Sequence, residues 1–201
     1  MKAGAILVAA VLYTANLIAQ EHPVLFASSA DFTTLKQRCE TDERCKLAKE
    51  RILFDANGLL PLKPCPREME GRRLLGTSRR VLWRITTLSM AYRLTDDKRY
   101  AQRCAEEMTA IAAFTDWNPS HFLDVAEMTL AMSIGYDWLY TALSKDDVKT
   151  IEGAILSKGL QAGQKATGWV NAKNNWGQVC HAGMMSGALA TRSINLSLIH
   201  I

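Results

Sequence analysis

From Asp31 to Ala190 the apolar residues recur at three- and four-residue intervals almost everywhere, and no stretch sustains the apolar–polar alternation of a half-buried strand. A chain patterned in this way can bury its apolar surface only by packing helix against helix. The fold class expected is therefore all-α.

Six helices follow from the periodicity and its punctuation. The first runs from about Asp31 to Phe54, behind the cap-like Ser28–Asp31 stretch, and stops at Asn57 and Gly58. A loop follows, GLLPLKPCPREMEG, whose three prolines forbid a regular helix. The second helix, about Arg73 to Leu94, carries Val81, Leu82, Ile85, Leu88 and Tyr92 on one side. Thr95 and Asp96 are expected to cap a third that reaches Phe114. DWNPS reads as a turn with Pro119 in the first turn of a fourth helix, Ser120 to about Tyr140. Ser144 with Asp147 makes a capping-box-like start to a fifth, expected to fray at Gly159, Gly163 and Gly168, and the sixth begins near Asn174. Helices joined by short turns pair as antiparallel hairpins, so the pattern suggests a hairpin array. Such an array can be an open solenoid or an α/α toroid, and periodicity does not choose between them.

Both ends of the chain are read separately. MKAGAILVAAVLYTANLIAQ has one lysine, a short apolar run and then small residues, the layout of a secretory signal peptide. Residues 1–19 are assigned to it, so the folded domain spans residues 20–195 and the product is periplasmic or secreted, with no membrane span once the signal is removed. At the other end LSLIHI, residues 196–201, breaks the helical pattern and resembles the translation of a transposon-type sequencing adapter. It is expected to be a non-native tail in which His200 has no role.

The five cysteines are too few and too scattered for a disulfide scaffold in an exported chain of this length. Cys39 and Cys45, six residues apart, could pair only if the first helix broke between them. No Cys-x-x-Cys or His-rich spacing indicates a zinc site, so no structural metal is expected from these residues. A net charge of +4, with arginine pairs between Arg72 and Arg80, leans toward an acidic ligand. Export makes that ligand an acidic polysaccharide rather than a nucleic acid.

Two clusters carry the candidate chemistry. In NNWGQVCHAG, steps of four, three and four residues place Asn174, Gln178, His181 and Met185 in one helical stripe with Asn175 at its edge. Behind the stripe, Cys180, Gly183 and Gly187 form a thin face that lets another helix approach closely. Two amides and an imidazole thus point one way at a helix N-terminus, whose free N–H groups favour an anion. The bland reading is a helix cap followed by satisfied core groups, each amide costing about 1–3 kcal/mol if buried unpaired. In the second cluster His121 and Asp124 stand one turn apart, which fits a histidine oriented by an aspartate or a substrate contact. Trp117, Trp138 and Trp176 offer surfaces on which sugar rings could stack, with core packing as the alternative.

Together SHFLDVAEMTLAMSIGYDWLY and NNWGQVCHAGM resemble the N-terminal helical domain of the heparinase II/III and alginate lyase superfamily of polysaccharide lyases, a likeness covering most of residues 25–192. The resemblance implies an incomplete α/α toroid of antiparallel hairpins, followed in that family by a β-sandwich domain, and cleavage of uronic-acid polysaccharides by β-elimination, a chemistry that requires no cofactor. Removing the C5 proton builds charge on an already charged carboxylate, so amides or protonated groups must neutralise it. Asn175 takes that role, with Asn174 and Gln178 beside it. Several relatives have Asn-Asn-His where this chain has Asn174, Asn175 and Trp176, so His181 becomes the candidate for proton transfer. Trp176, His121 and Trp117 are expected to line the substrate cleft. The family's catalytic tyrosine lies well downstream of its Asn motif, so the chain is expected to be a truncated domain, inactive by itself. Two rivals are a toroid-type glycoside hydrolase, for which Asp124 and Asp137 are the available carboxylates, and a non-catalytic helical binder of carbohydrate or protein.

Overall fold

A computed structural model describes residues 21–191. Among these residues the protein is all-α, its nearest approach to a sheet being an isolated bridge between Glu70 and Arg73. The longer elements are α1 (Ser29–Thr41), α2 (Glu43–Leu59), α3 (Leu75–Thr95), α4 (Lys98–Ala112), α5 (Phe122–Leu139), α6 (Lys145–Ala154) and α8 (Asn175–Ala190). A π-helical stretch, Ile155–Leu160, continues α6 into the short α7 (Gln161–Lys165). No described helix is long and apolar enough to cross a membrane.

Helix α5 occupies the centre. All of its residues except Leu130 are buried, so it has no solvent face, and α3 and α8 pack along it. Helix α3 also packs on α4, and α4 on α6, while α1 and α2 pair with each other. The α5–α8 contact is close because of glycine: a Cβ added at Gly183 would lie 2.3 Å from the Ala126 carbonyl oxygen, and one at Gly187 2.8 Å from Thr129 Cγ2. The thin face expected on α8 is therefore its packing face.

An all-round buried helix can carry polar groups only if each is satisfied. At its C-terminal end Asp137, fully buried, accepts from the Val24 and Leu25 amides at 3.0 and 2.8 Å and pairs with His22 Nδ1 at 2.6 Å. Trp138 adds a bond from its indole N–H to the Leu25 carbonyl at 2.9 Å. Together they dock residues 22–25, ahead of α1, onto the core. The proline-bearing loop before α3 is held by similar means. Glu107, buried on α4, accepts from Cys65 N at 2.8 Å and Arg103 Nη2 at 2.7 Å, while Arg103 and Arg84 donate to the loop carbonyls of Leu62 and Lys63.

Several boundaries differ from the expectation. The first helix is two, broken at Asp42, whose carboxylate accepts from Cys45 N at 3.1 Å and caps α2. The break brings the Cys39 and Cys45 Cα atoms to 4.7 Å and the two form a disulfide, so the condition set for their pairing is met. Asn57 and Gly58 fall inside the last turn of α2 rather than beyond it. Asp97, not Asp96, caps α4; Asp96 ends α3 with φ 59°, the left-handed conformation. Pro119 precedes α5 rather than entering its first turn. Gly159 and Gly163 do not fray α6: they are buried close-approach points, 2.6 Å from Thr129 Oγ1 and Met184 Sδ measured from an added Cβ. The sequences assigned to a signal peptide, residues 1–19, and to a non-native tail, residues 196–201, lie outside the described residues.

Two outcomes test this packing. Gly183→Ala gains about 1 kcal/mol of helix propensity, but its methyl meets backbone that cannot swing aside, so a net loss of about 1–3 kcal/mol is expected in urea unfolding. The second concerns Glu152, buried where Tyr136 Oη donates to it at 3.1 Å. Burial raises its carboxyl above the ordinary 4.5. A pKa raised by folding contributes stability that is full below the ordinary value and lost as pH climbs through the raised one. Glu152→Gln keeps an acceptor for Tyr136 but does not ionise. Relative to the parent, it should gain stability as pH climbs above the ordinary 4.5, read from unfolding midpoints across a pH series.

Candidate functional site

Helix α8 opens on a groove of about 360 Å³ lined by Ala172, Lys173, Asn174, Gly177, Gln178 and His181. Asn174 is the N-cap, its Oδ1 accepting from Trp176 N at 3.0 Å, which leaves its NH₂ uncommitted. The loop before the helix presses against it: a Cβ at Gly177 would lie 2.3 Å from the Ala172 carbonyl oxygen. Asn174, Asn175, Gln178 and His181 are all exposed. The burial cost weighed for these amides therefore does not apply, and the carboxamides of Asn175 and Gln178 make no hydrogen bond among the described residues. The groove thus presents free amides, a lysine and an imidazole at the positive end of a 16-residue helix.

The tautomer of His181 follows from its partner. Nδ1 lies 2.6 Å from the Gly177 carbonyl oxygen, which can only accept, so Nδ1 carries the proton and Nε2 of the neutral ring is left as the base. The ring stands edge-on to Trp169 at 4.8 Å, and Trp169 stacks on Phe122 of α5 at 5.3 Å, which fixes the floor beneath it.

His121 is built in the same way with a stronger partner. Its Nδ1 is 2.6 Å from Asp124 Oδ1, so a carboxylate orients the ring and Nε2 is again free. The Asp124 carboxylate is fully buried and takes two further donors on Oδ2, Leu74 N at 2.5 Å and Asn118 Nδ2 at 2.6 Å. His121 meets Trp176 edge-on at 4.9 Å, and that contact ties the start of α5 to the start of α8. Trp176 is half-buried in consequence.

Trp117 is corrected. It is fully buried, its indole N–H donating to the Ile111 carbonyl at 3.3 Å, and has no face open to a sugar. Trp138, at 7 % exposure, is likewise core. Asp124 and Asp137 are both fully buried and fully committed to other groups, which leaves neither available for the two-carboxylate chemistry of a hydrolase. Two residues were missed from the sequence. Lys173 lines the groove and was legible as the cation abutting the paired asparagines; Trp169, under His181, carried no signal beyond its residue type.

Among the described residues no group of three His, Cys, Asp or Glu side chains is placed to hold a metal ion. The three thiols outside the disulfide are buried, which pushes Cys65 and Cys104 up to about 12 and Cys180 up to about 11 and keeps them from nucleophilic work near neutrality. No protein-family model matches this sequence, and no curated protein is significantly similar to it.

Asp124→Asn tests the network. One side of an amide would face donors with another donor, so a loss of about 3 kcal/mol is expected by denaturant unfolding. Nitrogen NMR of His121 should show the neutral ring losing its Nδ1–H preference. A loss under about 1 kcal/mol with the tautomer unchanged would contradict the assignment.

Proposed function

We propose that this chain is the helical domain of an exported lyase that cleaves an acidic, uronate-containing polysaccharide by β-elimination. The observation that carries the proposal is the exposed set of unbonded amides beside His181 at the start of α8. Asn175 and Gln178, with the Asn174 NH₂, would donate to the uronate carboxylate and spread the charge that builds when the C5 proton leaves. His181 Nε2 takes that proton. The electron pair forms the C4–C5 double bond, and the C4–oxygen bond breaks with the leaving oxygen protonated by an acid outside this set. Lys173 adds a cation to the carboxylate end. His121 and Trp176 support the groove where α5 meets α8.

The resemblance noted in the sequence supports the same reading, as does the row α3, α5 and α8 backed by α4 and α6. An incomplete toroid of hairpins would have that arrangement. A non-catalytic binder is the second reading, favoured by the shallow, open form of the groove.

Asn175→Ala separates them. In the protein expressed from its complete gene, the lyase reading expects kcat on an oligouronate to fall about 10²–10³-fold, followed by the ultraviolet absorbance of the unsaturated uronate product. A saturated product would mark a hydrolase. The absence of any turnover in the parent, with binding retained, would mark a binder.

A further inference from the structure

The turn that leads into α3 holds two arginines with no anionic partner among the described residues. It closes through Glu70 N to the Arg73 carbonyl at 2.8 Å and Arg73 N to the Glu70 carbonyl at 3.1 Å, with Gly71 at φ 61° supplying the left-handed step. Two buried side chains fix it from beneath: Asn118 Nδ2 donates to the Arg72 carbonyl at 2.9 Å, and Asp124 accepts from Leu74 N at 2.5 Å. The backbone on either side of Arg72 and Arg73 is thus pinned, while both side chains are exposed.

An open groove of about 650 Å³ lies against this turn, lined by Glu70, Arg72, Arg73, Leu75, Gly76 and Arg79. Arg79 is engaged by Glu127, its Nε 3.2 and 3.1 Å from the two oxygens. The Glu70 carboxylate folds over Gly76, where an added Cβ would meet Oε1 at 2.6 Å. The neighbouring Arg80 is paired with Glu68 at 2.9 Å. Of the three arginines lining this groove, Arg72 and Arg73 have no ion pair among the described residues.

One carboxyl group links this turn to the start of α8. Asp124 Oδ2 holds the arginine turn through Leu74 N, and Asp124 Oδ1 holds His121, which touches Trp176 at the start of α8. We propose that Arg72 and Arg73 form a second anion subsite, taking the carboxylate of a neighbouring uronate in the chain whose reacting unit sits at α8. Guanidinium suits this role because its planar fork meets a carboxylate with two parallel hydrogen bonds and sheds water more readily than an ammonium. The ligand class is then an oligomer of uronates and not a single sugar acid. The inference rests on the lyase reading only in taking the α8 groove as the place of the first uronate.

Calorimetric titration of the whole chain tests it, with a monomeric uronate, an unsulfated uronate tetramer and the same tetramer reduced to neutral sugars. The parent should bind the uronate tetramer more tightly than the monomer. Arg72→Ala with Arg73→Ala should weaken tetramer binding about tenfold and leave monomer binding unchanged, whereas Asn175→Ala weakens both. Arg72→Lys with Arg73→Lys should fall between, since charge is kept and the fork is lost. Unchanged tetramer affinity in the double alanine variant overturns the subsite while leaving the α8 groove intact as a proposal. An equal loss for monomer, or for the reduced tetramer, also overturns it, because carboxylate recognition would then not be the cause. Failure of the parent to bind either uronate removes the lyase reading and the subsite together.

Discussion

The buried carboxylate of Asp124 is the point on which the candidate site depends. It receives a main-chain amide from the start of α3, a side-chain amide from the turn before α5 and an imidazole from the α5 N-terminus, all within 2.6 Å. A carboxylate out of water is strongly unfavourable unless such donors surround it, and hydrogen bonds to a charged acceptor are about twice as strong as neutral ones. The three segments therefore have little freedom to move apart. Asp137 acts in the same manner at the opposite end of α5, drawing in residues 22–25. A helix buried on every side has no solvent-facing stripe to orient it; here the two carboxylates and the glycine contacts with α8 supply the orientation.

Helix α8 follows from those glycines. Because Gly183 and Gly187 let it lie directly on α5, its opposite side faces outward, and the polar residues of its first two turns stand in solvent at the helix's positive end. Trp169 and Trp176 then fill the space between α8 and the beginning of α5, one under each histidine. Both imidazoles donate through Nδ1 and leave Nε2 open, a shared arrangement imposed by a carbonyl in one case and a carboxylate in the other.

Much of this was legible where a short-range rule governs. The stripe of Asn174, Gln178 and His181, the thin face behind it, the Ser144 cap and the His121–Asp124 pair all depend on spacing within one helix. Features set by distant partners were not. The break at Asp42 was missed for another reason: its cap is local, but the helical spacing of the residues on either side runs straight through it. Gly159 and Gly163 looked like weak points because only the folded chain brings Thr129 and Met184 against them. Trp117 was assigned to the substrate cleft with core packing as the alternative, and its burial comes from packing that no spacing encodes. The arginine turn was visible only as charge, since Asn118 and Asp124, which fix it, lie more than forty residues away in the chain.

The central claim is that the mouth of α8 receives the carboxylate of a sugar acid. Nitrogen-resolved NMR of the labelled chain during addition of a saturated uronate oligomer reads this directly. The account predicts saturable shifts of the Asn175 and Gln178 side-chain NH₂ signals together with His181 Nε2, and no response to the neutral, carboxyl-reduced sugar. Shifts confined to other surfaces, or equal responses to the charged and neutral oligomers, would contradict it.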